Sequence, residues 1–227
     1  MAAHLVDPRT VAGDGPDVAV CPSGLVGHVV LPLVSPPVLA ERRAAASARR
    51  RTRPRAYRVR VSTRLLLISD THVPARARAL PDQVWRAVDV ADVVVHAGDW
   101  TTADLADALQ LRAATLVGVA GNNDGPDLHA RFGEVARTTV EGLRIAVVHE
   151  TGSKQGRERR ADLAFPDTDL LVFGHSHIPW DSVAPSGMRL LNPGSPTDRR
   201  RQPVGTYMTA TISGDRLDDI ELVPVPR

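Results

Sequence analysis

Cysteine is almost absent from this chain: Cys21 is the only one among 227 residues. No internal disulfide can form and no cysteine-rich zinc module can be built, so any metal site must draw on His, Asp, Glu or Asn. With nothing stapled for an oxidising compartment, a cytoplasmic location is the expectation. Lysine is equally scarce. Lys154 is the single lysine among 28 basic residues, an exclusion too broad to be functional, and it reads as a coding bias of a GC-rich genome. Long apolar runs are also missing. The longest, Gly24 to Ala40, is broken by Pro32, Pro36 and Pro37, and a membrane helix needs roughly 18 apolar residues in a row. Asp7, Pro8, Asp14 and Asp17 interrupt the start of the chain where a secretory signal would need an unbroken apolar stretch. Neither a membrane partner nor a signal peptide is expected.

What is present divides in two. Residues 1–63 carry ten Arg and four acids, a net +6, whereas residues 64–227 carry eighteen basic residues and twenty-two acids, a net −4. The basic pI therefore belongs to the leader, and the mildly acidic body argues against nucleic acid as a stable partner. Prolines recur at 8, 16, 22, 32, 36, 37 and 54, and Glu41 to Arg60 is rich in Ala and Arg. Residues 1–60 are read as a disordered leader that cannot bury enough apolar area to offset its ordering cost, dispensable for folding. A basic arm for nucleic acid or anionic lipid is the other reading, disfavoured by the shortage of aromatic and Lys residues. The folded domain is assigned to residues 61–227.

From Arg64 the texture changes. Leu65 to Ile68, Asp92 to His96 and Ala114 to Ala120 read as buried strands. Leu80, Val84, Trp85 and Val88, then Leu105, Ala108 and Leu109, fall at helical spacing between them. That alternation predicts a parallel sheet. Val135 to Val140, a Glu141-Gly142 turn and Leu143 to Val148 predict an antiparallel hairpin. A polar helical stretch around Lys154 to Leu163 follows, then strands at Leu170 to Phe173, Asp181 to Ala184, Met188 to Leu191, Val204 to Ile212 and Leu217 to Val223. An α/β half followed by a β-rich half predicts two facing mixed sheets flanked by helices.

Ligand-type side chains follow the predicted strands: Asp70 and His72, Asp99, Asn122 and Asp124, His149, and His175 with His177. Gly98, Gly121 and Gly174 stand just before three of these groups, where a sharp turn or close backbone approach is useful. Strand carboxyl ends are where open α/β sheets bind ligands. Two divalent cations held close together repel unless anions lie among them. Asp99 can bridge both with its two oxygens, Asp70 adds a second negative charge, and the imidazoles of His72, His149, His175 and His177 complete the spheres without overcharging them. Asn122 offers a carbonyl oxygen. Mixed N/O ligation without thiolate suits Mn first, then Zn, Fe or Ni, better than Ca or Cu(I). The His-Ser-His spacing is read as two rings on one side of a strand end. Any one of these groups alone is more often a turn, a cap or a structural histidine; seven compatible residues at five successive strand ends are not coincidence.

The segments LLLISDTH, VVVHAGDW, GVAGNNDG, AVVHE and FGHSH resemble the ordered motifs of the calcineurin-like metallophosphoesterase superfamily: DxH, GD, GNxD, H and GHxH. The following LLNPGSP resembles its small prokaryotic branch, the YfcE-type phosphodiesterases, and the likeness spans roughly Arg64 to Val223. The resemblance implies an αββα sandwich. It assigns Asp70, His72 and His177 to one metal, Asn122, His149 and His175 to a second, and Asp99 to both, with Asp99, Asn122 and Asp124 as the catalytic group. It implies hydrolysis of a small phosphoester by a hydroxide bridging two divalent ions; a retromer-subunit-like scaffold with a vestigial metal site is the rival reading. Two departures stand out. Asn123-Asp124 replaces the His that aids leaving-group departure elsewhere in the superfamily, and Glu150 replaces a Gly usual in the branch. His96 is expected to pack or support a ligand, His129 to be an ordinary loop residue, Asp124 to orient its neighbours, Glu150 to face solvent, and Asn192 to Ser195 to be a turn or a phosphate contact.

Overall fold

The computed structural model describes residues 62–226. The leader expected over residues 1–60 lies outside them. β1 (Thr63–Ile68), α1 (Asp82–Val90), β2 (Val93–Ala97), α2 (Ala103–Arg112) and β3 (Leu116–Val119) alternate as the apolar pattern requires. The expected hairpin is β4 (Val135–Val140) and β5 (Leu143–Val148), and the Arg-rich helix is α4 (Arg157–Ala164). β6 (Leu170–Val172), β7 (Trp180–Val183), β8 (Arg189–Asn192), β9 (Gly205–Ser213) and β10 (Arg216–Val225) complete the order. One further helix, α3 (Pro126–Phe132), was not expected from the sequence pattern. Its signal is in its ends: Pro126 opens it with Asp127 in the first turn, and Gly133 closes it at φ 66°, the usual asymmetry of helix start and stop.

Two five-stranded sheets form, in the orders β10-β9-β1-β2-β3 and β4-β5-β6-β8-β7. β1, β2 and β3 run parallel, as do β5, β6 and β8. The antiparallel strands β4 and β7 close the second sheet at its edges. The sheets do not follow the two halves of the chain. β9 returns to pair antiparallel with β1, and β10 pairs with β9, so the C-terminal strands complete the N-terminal sheet.

Strand side chains alternate, and here both faces are covered. Leu65, Leu67, Val93 and Val95 meet Ile145, Val147, Leu170 and Val172 between the sheets. Leu66, Ile68 and Val94 face the other way, onto Val84 and Val88 of α1 and Leu105 and Leu109 of α2. Ala146, Leu171 and Phe173 of the second sheet receive Ala161 of α4. The layers are thus helix, sheet, sheet, helix. α4 is polar, yet it docks through Arg157, a buried guanidinium 4.8 Å from the Phe173 ring and 4.6 Å from the Trp180 ring, a cation over two aromatic faces. No helix among the described residues is long and apolar enough to cross a membrane.

Leu67 is completely buried between the sheets, and Leu111 on α2 is 89% exposed. Leu67→Ala is expected to cost about 2–5 kcal/mol of unfolding free energy, and Leu111→Ala to stay within about 0.5 kcal/mol. Urea denaturation of both variants checks this; equal effects would mean that the inter-sheet layer is not the core.

Candidate metal centre

The five parallel strands β1, β2, β3, β5 and β6 end on one rim, and the expected ligand residues lie one to five residues beyond those ends. The chain does something costly there. Asp70, His72, Asp99, His175 and His177 all have left-handed backbone, with φ of 54°, 45°, 61°, 71° and 57°. They are five of the nine non-glycine residues with positive φ among those described. Each such conformation costs on the order of 1–3 kcal/mol and persists only where surroundings enforce it. The strain aims side chains that a regular strand or helix would send elsewhere. It also corrects the reading of the His-Ser-His pair. His175 and His177 stand in a loop beyond β6, and their rings go to opposite ends of the rim instead of lying side by side by strand alternation.

At one end, His72 Nε2 is 3.2 Å from His177 Nε2, and His177 Nε2 is 3.3 Å from Asp70 Oδ1. At the other end, Asn122 Oδ1 is 3.0 Å from His149 Nε2 and 2.8 Å from His175 Nδ1. Between the ends lies Asp99, whose Oδ2 is 3.5 Å from His72 Nε2 and 3.4 Å from His149 Nε2. Asp70, His72 and His177 offer ligand atoms within 4.8 Å of one another, and so do Asp70, Asp99 and His149. The first end is sealed, with Asp70, His72, Asp99 and His177 all buried. Asn122 is exposed, and the His175 side chain is 41% exposed, so the second end opens to solvent.

The surroundings hold this arrangement tightly. Asp124 Oδ2 accepts the backbone N–H of Asp99 at 3.0 Å and of Gly121 at 2.7 Å, and its Oδ1 accepts that of Thr101 at 2.7 Å. Its carboxylate therefore fastens the loop after β2 to the loop after β3. Gly121 sits so close that a Cβ there would lie 2.3 Å from Asp99 Oδ1. Asn123 donates from its backbone N to Asp99 Oδ1 at 2.8 Å and from Nδ2 to Asp99 Oδ2 at 2.7 Å. His96 is fully buried and stacked 3.5 Å from the Trp100 ring. Its Nδ1 accepts Gly98 N–H, leaving Nε2–H for Thr71 Oγ1, and burial pushes its pKa well below the usual imidazole value. It is a neutral support for the Asp99 loop, as expected of it.

Four residues take places that the sequence-based reading did not assign. Ser195 is buried and donates to the Asp70 carbonyl at 2.7 Å, while Asn192 donates to the Gly174 carbonyl at 2.8 Å. The buried Asn192–Ser195 loop therefore braces the ligand loops. His129, expected to be an ordinary loop residue, lines a cleft together with Asn122 and His149. Trp100, not singled out in the sequence, is fully buried between His96 and Phe132 and donates to the Val119 carbonyl at 2.7 Å. A large side chain directly after Asp99, in a chain with 4% aromatics, was the available signal.

The donor set fits divalent cations. Neighbouring ligands on an ion with bonds of about 2.1 Å lie about 3.0–3.4 Å apart, which is the spacing seen here. His149 donates Nδ1–H to the Ala97 carbonyl at 2.8 Å, and His177 donates Nδ1–H to the Asp198 carbonyl. Such bonds fix the tautomer and turn Nε2 toward a metal. The two ends differ: burial disfavours a charge on His177 and pushes its pKa down to about 4, whereas the acids around His149 favour one. Burial pushes the Asp70 carboxyl up to about 7. Burial opposes a charge on His149, but Asp99 and Asp70 outweigh it and raise its pKa. Burial likewise opposes the Asp99 carboxylate, but His149 and the Asn123 donors hold it below the usual range.

The sequence profile of the calcineurin-like phosphoesterase superfamily domain matches residues 64–215. The chain is 33% identical over 159 residues to a probable metallophosphoesterase of Methanothermobacter thermautotrophicus, covering 67% of this chain and 87% of that one. It is 32% identical over 162 residues to one of Methanocaldococcus jannaschii, covering 70% and 80%. Among solved structures, a Thermotoga maritima protein aligns with a TM-score of 0.57 at 32% identity, covering 71% of this chain and 99% of that one. Vacuolar Protein Sorting 29 of Cryptosporidium parvum aligns with a TM-score of 0.61 at 19% identity, covering 73% and 99%, a likeness of fold alone. The chain belongs to the calcineurin-like phosphoesterase superfamily. It is a metallophosphoesterase, and the retromer-subunit-like alternative is no better supported.

Protons and metal compete for this site. Asp70 holds its proton until about pH 7, and its raised value means that metal uptake expels that proton below that pH. Affinity for Mn2+ is therefore expected to fall as pH drops below about 7, with proton release accompanying binding there. Calorimetric titration in two buffers of different ionisation enthalpy measures this; pH-independent, proton-neutral binding would contradict it.

Proposed function

We propose that this metallophosphoesterase is a dinuclear phosphodiesterase acting on a small phosphoester. The observation that carries the reading is the position of Asp99 Oδ2, 3.5 Å from His72 Nε2 and 3.4 Å from His149 Nε2, a carboxylate shared between two ligand groups. Asp70, His72 and His177 hold one ion, and Asn122, His149 and His175 the other. Two divalent ions, Mn2+ favoured and Zn2+, Fe2+ or Ni2+ as alternatives, would supply Lewis acidity to the phosphoryl oxygens and lower the pKa of water.

The remaining groups position and select. Asp124 keeps the backbone of Asp99 and Gly121 fixed, so Asp99 does not move as charge builds on phosphorus. The exposed Asn122 and His175 end admits substrate. Asn123, where many relatives by motif have a His, turns its amide onto Asp99. An amide is no proton donor near neutral pH, so expulsion of an alkoxide goes unaided there. A scaffold with a vestigial site would have lost ligand residues, and here each motif position carries one. The acidic body speaks for small substrates over nucleic acid.

With Mn2+, an aryl diester is expected to be hydrolysed with a higher kcat/KM than an alkyl monoester of similar size, because missing general acid catalysis is typically worth about 10²–10⁴-fold. Asp99→Asn keeps the shape and removes the charge, and should lower turnover of the diester at least about 100-fold. Paired steady-state assays check both; preference for the alkyl monoester, or wild-type turnover by Asp99→Asn, would overturn the reading.

A further inference from the structure

A cleft of about 430 Å³ runs directly from the open end of the metal centre, and Asn122 and His149 form part of its wall. The hairpin, α3 and the loop after β3 build the rest. β4 and β5 pair Val135 with Val148, so Glu134, just before β4, lies at the same open end of the hairpin as His149 and Glu150, just after β5. α3 adds His129. The lining holds two carboxylates, Glu134 and Glu150, and no Lys or Arg. Glu150 is exposed, as expected of it, and lines the cleft with its Oε1 3.9 Å from His175 Nε2. Val135 and Val148 make the intervening surface apolar. On the opposite flank of the centre a cation is already paired with an acid. Arg76 Nε is 3.6 Å from Asp198 Oδ2, and Asp198, whose carbonyl accepts from His177, also receives the backbone N–H of Arg200.

We propose that this cleft is the subsite for one alcohol substituent of the diester, and that Glu134 and Glu150 select a substituent carrying an ammonium group. The inference rests on the phosphodiesterase reading and adds the class of substrate. A phosphate that reaches the metal centre places its substituent beside Asn122, within the cleft. Two carboxylates over an apolar floor favour a cation with a methylated or methylene surface and repel an anion. Hydrolysis consumes one water, breaks one P–O bond, and leaves the ammonium alcohol either on the phosphate or released with a proton.

The test uses an isosteric pair, p-nitrophenyl phosphorylcholine and p-nitrophenyl 3,3-dimethylbutyl phosphate, which differ in one charge. The full-length wild-type protein with Mn2+ is expected to show kcat/KM at least about fivefold higher for the choline ester. Glu150→Gln with Glu134→Gln should bring the ratio to about one, and Glu150→Lys should reverse it. Calorimetric binding of phosphocholine against 3,3-dimethylbutyl phosphate should show the same preference without turnover. A wild-type ratio at or below one, or a ratio that the variants leave unchanged, would overturn the subsite. So would a variant that loses both esters alike, because Glu150 would then serve the reaction and not the choice of substituent. Failure to hydrolyse even bis(p-nitrophenyl) phosphate would instead overturn the phosphodiesterase reading.

Discussion

His149 and His177 each give their Nδ1–H to a backbone carbonyl, and the rest of the centre follows from what that leaves. Both Nε2 atoms then point at oxygen or nitrogen atoms: Asp99, Asn122 and His175 for one, Asp70 and His72 for the other. Electron-rich atoms this close, mostly buried, are tolerable only with positive charge among them. Protons can supply it, as the raised pKa of Asp70 and of His149 indicates. A divalent cation does so better, because it satisfies several ligands at once.

The fold exists around that demand. Five left-handed residues on one rim oppose stability, and the layers between and outside the sheets offset the cost by burying nearly all of β1, β2, β5 and β6. At the rim the strain sits just beyond the strand ends, where Asp124, Trp100, His96 and Ser195 enforce it through hydrogen bonds and packing. Parallel strands serve this purpose well. Their ends fall on one rim, so residues distant in sequence, such as Asp70 and His175, come within 3.0 Å by a backbone N–H to carboxylate bond.

Much of this was legible because a strand buried on both faces reads as a continuous apolar run, and a ligand after it has nowhere to go but the rim. The strand pattern, the four-layer architecture and the supporting role of His96 all came from that logic. What escaped depends on tertiary contacts. Alternation along a strand could not reveal that left-handed φ at His175 and His177 sends their rings to opposite ends. Nothing local in Asn192–Ser195 says that Ser195 braces Asp70, and the Asn123 amide on Asp99 needs the loops after β2 and β3 together. α3 is too short for a periodic signal; only its Pro126 and Gly133 ends mark it. His129 gained its place only because that helix brings it to the cleft that Asn122 and His149 also line.

The central claim is that one shared carboxylate lies between two cation sites. Anomalous diffraction from crystals grown with Mn2+ tests it most directly. The account predicts two peaks roughly 3.5–4 Å apart, one bonded to Asp70, His72 and His177, the other to Asn122, His149 and His175, with Asp99 reaching both. A single peak, or peaks that leave Asp99 unligated, would contradict it.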